Sequence, residues 1–322
     1  MDTPGQWRDG VPEGETWLGS SPVGRKPVCI RRDRGAASTC AAFTVSQGQG
    51  LEVTAAKPTA VWPAHWRLEP DGEAFVTTFG SRLTPVRHEG RAAMLKIAAH
   101  PEERDGAAVM AWWDGDGAAK VLGRDGDALL MERATGEGSL SAMARDGQDF
   151  AATLILCRAA KRLHAPRPTP PPTLKPLAQW FRALEPAAAR EGGLFARSAA
   201  AARELLASPR DVAVLHGDLH HDNVLDFGPS GWLAIDPKGL IGEAGFDYAN
   251  LFFNPWPTAA DPGRLQRRLA LVAEATGLDP ARILQWIIAY AGLSAAWTLE
   301  SGLPEGGPLR ALQIAEMAVA LT

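Results

Sequence analysis

The chain has 322 residues, 33 Lys+Arg against 37 Asp+Glu, and a formal net charge of -4. It is long enough for one large or two modest domains with a proper core. The near balance of charge excludes the basic excess or stripe of a nucleic-acid binder and suits a cationic small molecule as partner. Three widely spaced cysteines, Cys29, Cys40 and Cys157, form neither a disulfide framework nor a metal knuckle. No apolar run is long enough to span a bilayer, and the polar, Gly/Pro-rich start is unlike a signal peptide. The sequence therefore predicts no membrane partner and a cytoplasmic location.

Residues 1–57 are rich in Gly, Pro, Ser and Arg, with brief apolar clusters only, and are expected to be a poorly ordered N-terminal extension. Residues 58–132 are expected to form a small lobe. Strands over 65–68, 74–79, 83–86 and 92–97 are separated by turn signals at Asp71-Gly72, Gly80-Ser81 and Glu89-Gly90. Lys96 interrupts the last apolar run. Burying a lone ammonium is costly, so this lysine either faces solvent on an edge strand or reaches an anionic partner in a cleft. A helix over 102–113 follows, and then a buried strand over 128–134 that breaks into Thr135-Gly136-Glu137-Gly138.

Residues 133–322 are expected to be a larger, helical lobe. Leu154, Cys157, Ala160 and Leu163 recur at helical spacing over 150–163, and a proline-rich connector over 166–176 cannot continue that helix. Helices are predicted over 177–184 and 194–207. Asp261-Pro262 and Asp279-Pro280 each place a capping Asp before a Pro at the first helical position, for helices over 262–275 and 280–299. A last helix is predicted over 308–321.

Between these helices lies the stretch that carries chemistry. An apolar run, Val214-Leu215, delivers His216-Gly217-Asp218 into a polar loop that continues to Asn223, and a second apolar run, Trp232-Leu233-Ala234-Ile235, ends on Asp236. Such a set suits phosphoryl transfer: one carboxylate takes the acceptor's proton, while an amide oxygen and a second carboxylate hold the magnesium that neutralises the triphosphate of ATP. Asp226-Phe227-Gly228 spells a kinase metal signature, but it follows Asn223 too closely for the chain to return on a second strand. It is read as the descent into a turn at Gly228-Pro229-Ser230-Gly231, with Asp236 as the metal ligand. His220 and His221 are too few for a zinc site and are read as solvent-facing or near the substrate. Lys238 either contacts a phosphate or is exposed.

His216-Gly217-Asp218 with Asn223, then Ile235-Asp236-Pro237 and Gly239-Leu240-Ile241-Gly242-Glu243, resemble the aminoglycoside phosphotransferases, and within them the streptomycin 6-phosphotransferase and hydroxyurea kinase branch. The resemblance runs from about Trp66 to the C-terminus. It implies an α+β, bilobal protein-kinase-like fold, a small antiparallel β lobe plus a large helical lobe, that uses ATP and Mg2+ to phosphorylate a cationic aminoglycoside, streptomycin at its 6-hydroxyl. It implies Asp218 as catalytic base, Asn223 and Asp236 as metal ligands, Lys96 on the ATP phosphates and Glu103 as that lysine's helix partner. Glu132 and Ala134 would read the adenine edge through their backbones, and Asp247 would brace the loop. Glu243, Trp297 and Glu300 are the candidates for the guanidinium-bearing acceptor. The competing readings are a kinase of hydroxyurea or another small metabolite, and a kinase-like binding module without catalysis.

Overall fold

Residues 62–76, 80–301 and 307–322 are described by the computed structural model, together with two short antiparallel strands, β1 (Glu15–Trp17) and β2 (Val28–Ile30). The expectation of a poorly ordered extension over 1–57 otherwise lies outside the described residues, as do positions 77–79 of the strand predicted over 74–79. The smaller lobe is an antiparallel sheet of β3 (Glu69–Pro70), β4 (Phe75–Val76), β5 (Arg82–His88), β6 (Arg91–Ile97), β7 (Val121–Asp125) and β8 (Ala128–Glu132). Its spatial order is β3-β5-β6-β8-β7, with β4 also on β5.

Successive side chains of a strand point to opposite faces. β6 therefore sends Ala93, Leu95 and Ile97 into an outer apolar cluster with Val86, Ala128 and Leu130. Met94 and Lys96 take the other face, and β8 sends Leu129 and Met131 to that same side, toward the larger lobe. The strand predicted over 65–68 is instead a 3-10 turn, Ala64–Trp66, that starts after Pro63. The ring of Trp66 lies so close to Gly123 that an added Cβ there would sit 2.9 Å from it.

Helix α1 (Pro101–Trp113) begins with proline at its first position, where a missing N–H costs nothing, and ends on Asp114 in a left-handed conformation. It docks on the loop that follows Asp236 with almost no side chain between. A Cβ at Gly106 would meet the Pro237 carbonyl oxygen at 2.0 Å, and one at Gly239, whose φ is +68°, would meet Asp105 Cβ at 2.9 Å. An ion pair of 3.0 Å between Asp105 and Lys175 adds a second tie across the lobes.

The larger lobe is helical: α2 (Leu140–Arg145), α3 (Asp149–His164), α4 (Leu177–Trp180), α5 (Leu184–Glu191), α6 (Gly193–Ala207), α7 (Gly245–Asn250), α8 (Pro262–Thr276), α9 (Pro280–Glu300) and α10 (Gly307–Val319). Asp261 and Asp279 cap α8 and α9 by accepting N–H bonds at 2.8 and 3.0 Å, ahead of the prolines that open them. α2 was not anticipated, although Ser139 caps it by accepting from the Ala142 N–H. The core of this lobe includes Trp113, Leu156, Leu163, Leu205, Leu215, Phe246 and Trp286. Two small sheets lie at its upper edge. β10 (Val212–Leu215) pairs antiparallel with β13 (Leu240–Glu243), which pairs parallel with β9 (Lys175–Pro176), while β11 (Val224–Asp226) and β12 (Trp232–Ala234) make a hairpin. The result is the α+β, two-lobed arrangement that the sequence predicts.

Candidate active site

Strand β10 ends at Leu215, and the next residues are held by the carboxylate of Asp247 on α7. Asp247 accepts the N–H of His216 and of Gly217, each at 2.8 Å, and His164 Nε2 lies 2.8 Å from it. Burial pushes the Asp247 carboxyl up, but the His164 bond and its other partners outweigh this and hold it below its ordinary value. His216 Nε2 donates to the Ile235 carbonyl at 2.8 Å, which leaves Nδ1 to accept the Asp218 N–H at 3.2 Å. That arrangement fits one neutral tautomer. Complete burial agrees, because it lowers the imidazole pKa despite the attraction of Asp247 and Asp218. His216 thus builds the loop.

Asp218 is buried, and both of its carboxylate oxygens are engaged. Asn250 Nδ2 donates to Oδ1 at 3.2 Å, and Lys238 Nζ lies 3.4 Å from Oδ2. Asn223 donates its amide nitrogen to the Asp218 carbonyl at 2.8 Å, a bond that does not use its Oδ1. The Asn223 carbonyl in turn accepts the Ile235 N–H at 2.9 Å, bringing the hairpin's return strand beside the loop.

Asp236 leaves that strand with φ +62°, a conformation few non-glycine residues adopt. Its Oδ1 receives Lys96 Nζ at 2.6 Å and its Oδ2 receives Lys238 Nζ at 3.1 Å. Burial works against its charge, yet Lys238 and Lys96 prevail and keep the carboxyl far below the usual range. Lys96 is also 3.2 Å from Glu103 Oε1 on α1, and Glu103 further accepts from Ser81 Oγ and, at 3.2 Å, from the Ala99 N–H. The lysine on β6 has therefore found its anionic partners in the cleft. Asp236 and the Asn223 amide are hard oxygen donors in small number. Such a set fits magnesium, which keeps waters and phosphate oxygens for its remaining positions.

Asp226 lies elsewhere. Its carboxylate accepts the N–H of Gly138 at 3.0 Å and of Gly228 at 2.9 Å, and its carbonyl accepts from Gly136. It fastens the segment between the lobes to the hairpin. That segment leaves β8 at Glu132, whose N–H is bonded to the Lys120 carbonyl at 2.9 Å. Ala134 packs at an apolar junction between the lobes with Met110, Met131, Phe227 and Leu233.

The acceptor candidates fare differently. Glu243 is 3% exposed, and its carboxylate is fully used. Arg282 donates to it at 2.6 and 2.7 Å, Trp286 Nε1 at 2.8 Å and the Arg210 N–H at 2.9 Å. It sits on β13 facing the helical core, so it ties β13 to α9 and is not an acceptor contact. Trp297 stands edge-on to Trp180, with ring centroids 5.4 Å apart, as part of helix packing. Glu300 is exposed at the last turn of α9. His220 and His221 are buried rather than solvent-facing, and Lys238 is not exposed. Asn250 was missed altogether: nothing local marks an asparagine at the end of α7 as a partner of Asp218.

Replacing Glu243 by alanine should cost about 3–5 kcal/mol of stability in denaturant titrations, because it leaves the Arg282 guanidinium unpaired. Partners hold the Glu243 carboxyl below its ordinary value against burial. Its contribution is thus present above about pH 4.3 and fades as the pH falls through the lower folded value. Unchanged stability with a raised KM for the acceptor would return Glu243 to the substrate pocket.

Comparison with known proteins gives the arrangement its context. The chain is 54% identical over 243 residues to the streptomycin 3''-kinase of Klebsiella pneumoniae, covering 74% of this chain and 91% of that one. It is 31% identical over 260 residues to the streptomycin 6-kinase of Streptomyces griseus, covering 76% and 82%. Its fold matches the crystal structure of choline kinase LicA from Streptococcus pneumoniae with a TM-score of 0.56 at 13% identity, over 79% of this chain and 93% of that one. The likeness shows the two-lobed, protein-kinase-like fold. The model of the aminoglycoside/hydroxyurea antibiotic resistance kinases matches residues 65–302, a span that holds Lys96, the Asp218 loop and Asp236, and the chain belongs to that family.

Proposed function

We propose that this protein transfers the γ-phosphoryl group of ATP to a hydroxyl of streptomycin. One observation carries the reading: Asp218 and Asp236 face each other across the Lys238 ammonium, 3.4 and 3.1 Å from it. A hydroxyl bonded to the first and a phosphate held near the second therefore meet. Lys96, steadied by Glu103, takes the nucleotide phosphates. Adenine enters the apolar junction beside Ala134, where the Glu132 carbonyl and the Ala134 backbone read its edge. Asp236 and Asn223 would hold a magnesium ion, which would supply charge neutralisation at the phosphates.

Asp218 aligns the acceptor hydroxyl and takes its proton as the new O–P bond forms. ADP leaves with the electron pair of the broken bond. Asn250 on one carboxylate oxygen and the Asn223 amide on the backbone fix the base in direction, so catalysis rests on positioning and charge. Cytosol, where ATP is available, is the expected compartment. Among the described residues no helix is long and apolar enough to cross a membrane.

Identity supports the 3''-hydroxyl over the 6-hydroxyl that the family resemblance implied, since the 3''-kinase relative is at 54% and the 6-kinase at 31%. The product of an incubation with ATP, Mg2+ and streptomycin decides the position. Phosphorus–proton coupling in NMR is expected at the 3'' position. Coupling at position 6 would restore the other regiochemistry, and ATP consumption with hydroxyurea but not streptomycin would overturn the acceptor.

A further inference from the structure

We infer that Lys238 is a catalytic residue that carries its ammonium from Asp236 to the phosphoryl group in transit. The inference rests on the phosphotransfer reading above and extends it to a residue outside the motif's base and metal ligands.

The first argument is position. Lys238 Nζ is shared by Asp218 Oδ2 and Asp236 Oδ2. The base faces the acceptor and the other carboxylate faces the nucleotide, so the phosphorus passes through the space that this ammonium borders. A second argument is anchorage. The Lys238 N–H donates to the His216 carbonyl at 2.7 Å, so its backbone is fixed to the same loop as the base. Asp236 at φ +62° and Gly239 at φ +68° bracket it in a turn that aims the side chain back under that loop. Its side chain is 16% exposed, so it has little room to leave for solvent.

The third argument is charge. Both oxygens of Asp236 are taken by ammonium groups, Lys96 on one and Lys238 on the other. A divalent cation on Asp236 would repel both ammonium groups. Lys96 retains Glu103, at 3.2 Å. Lys238 retains Asp218, and the anion next to Asp218 is then the transferring phosphoryl. During transfer the acceptor oxygen gains the phosphorus, Asp218 gains the acceptor's proton and the bond to the ADP oxygen breaks. Negative charge on the phosphoryl oxygens lies beside Lys238 throughout. Proton exchange by Lys238 has no part in the step.

A lysine that merely staples two carboxylates would occupy the same place, so the test must separate the two roles. Lys238→Gln keeps an NH2 group able to bond both carboxylates but removes the charge. Lys238→Met removes both. Acceptor-independent ATP hydrolysis, transfer to streptomycin and Mg2+-dependent ADP binding by calorimetry are measured on all three proteins. Expected for Lys238→Gln is a fall of roughly 10²–10³-fold in both rates, the scale of losing one group that stabilises transition-state charge. ADP binding should survive, with the Mg2+ midpoint unchanged or lower because Asp236 has lost a competitor. Lys238→Met should show the same pattern if it folds. Should it unfold, Lys238→Gln alone decides.

Rates of Lys238→Gln within tenfold of wild type, or a parallel loss of Mg2+-dependent ADP binding, would overturn the proposal and leave a structural staple. Wild-type protein that hydrolyses ATP but ignores streptomycin would sink the acceptor assignment only, since the hydrolysis ratio still reads Lys238. Wild type that neither hydrolyses ATP nor binds ADP with Mg2+ would overturn both.

Discussion

Asp218→Ala is expected to lower kcat by about 10²–10⁴-fold, the range that a positioned general base contributes, while ADP binding in the presence of Mg2+ stays close to wild type. The expectation follows from how the carboxylate is held. Asn250 and Lys238 engage its two oxygens, and the loop beneath it is braced by His216 and Asp247 through backbone groups that the substitution leaves in place. The fold and the nucleotide side should therefore survive while the acceptor loses its partner. Alanine also frees Lys238 to bond Asp236 alone, which leaves the Lys96 contact untouched. Steady-state kinetics with calorimetry of ADP binding checks the split. A variant with turnover near that of wild type would move the base elsewhere, and a collapse of ADP binding would mean that Asp218 supports the nucleotide rather than the acceptor.

Asp236→Ala should abolish the Mg2+-dependent part of nucleotide binding and with it all measurable transfer. Asp226→Ala should leave both in place and cost about 0.5–1.5 kcal/mol of stability, the net worth of a hydrogen bond whose exposed N–H partners can turn to water. The contrast is sharp because the two carboxylates have different neighbours. Asp236 meets Lys96 across the cleft and Lys238 on its own loop, whereas the Asp226 carboxylate, among the described residues, accepts from the N–H groups of Gly138 and Gly228. A magnesium titration of ADP binding on each variant, with a thermal melt beside it, gives the comparison. If Asp226→Ala removed the magnesium dependence and Asp236→Ala retained it, the hairpin between them would have been given the wrong role.

Much of this was legible in the chain because it depends on local rules. A period of two places Lys96 on the same face as Met94, away from Ala93 and Leu95, so one charge in an apolar run already announces a cleft. The Gly/Pro turn at 228–231 separates β11 from β12, and the Asp-Pro pairs open α8 and α9. What stayed hidden depends on contacts between distant positions. Asp247 is 83 positions from His164, and Glu243 is 39 positions from Arg282. Neither pairing leaves a trace in spacing, so Glu243 looked like a free acid beside the motif when it is a buried tie. Lys238 presented two equal readings for the same reason, since its neighbour in space, Asp218, lies across a loop and a hairpin. The turn at Ala64–Trp66 replaced a predicted strand because the packing of Trp66 on Gly123 outweighed local propensity.

The most direct test of direct phosphoryl transfer to a streptomycin hydroxyl is a rapid-quench single turnover with enzyme in excess over γ-labelled ATP, in the presence of Mg2+ and the drug. The label should appear on streptomycin at the rate at which ATP disappears, one phosphoryl per ADP, with none on the protein. Label released only as free phosphate, or trapped on the protein before it reaches the drug, would contradict it.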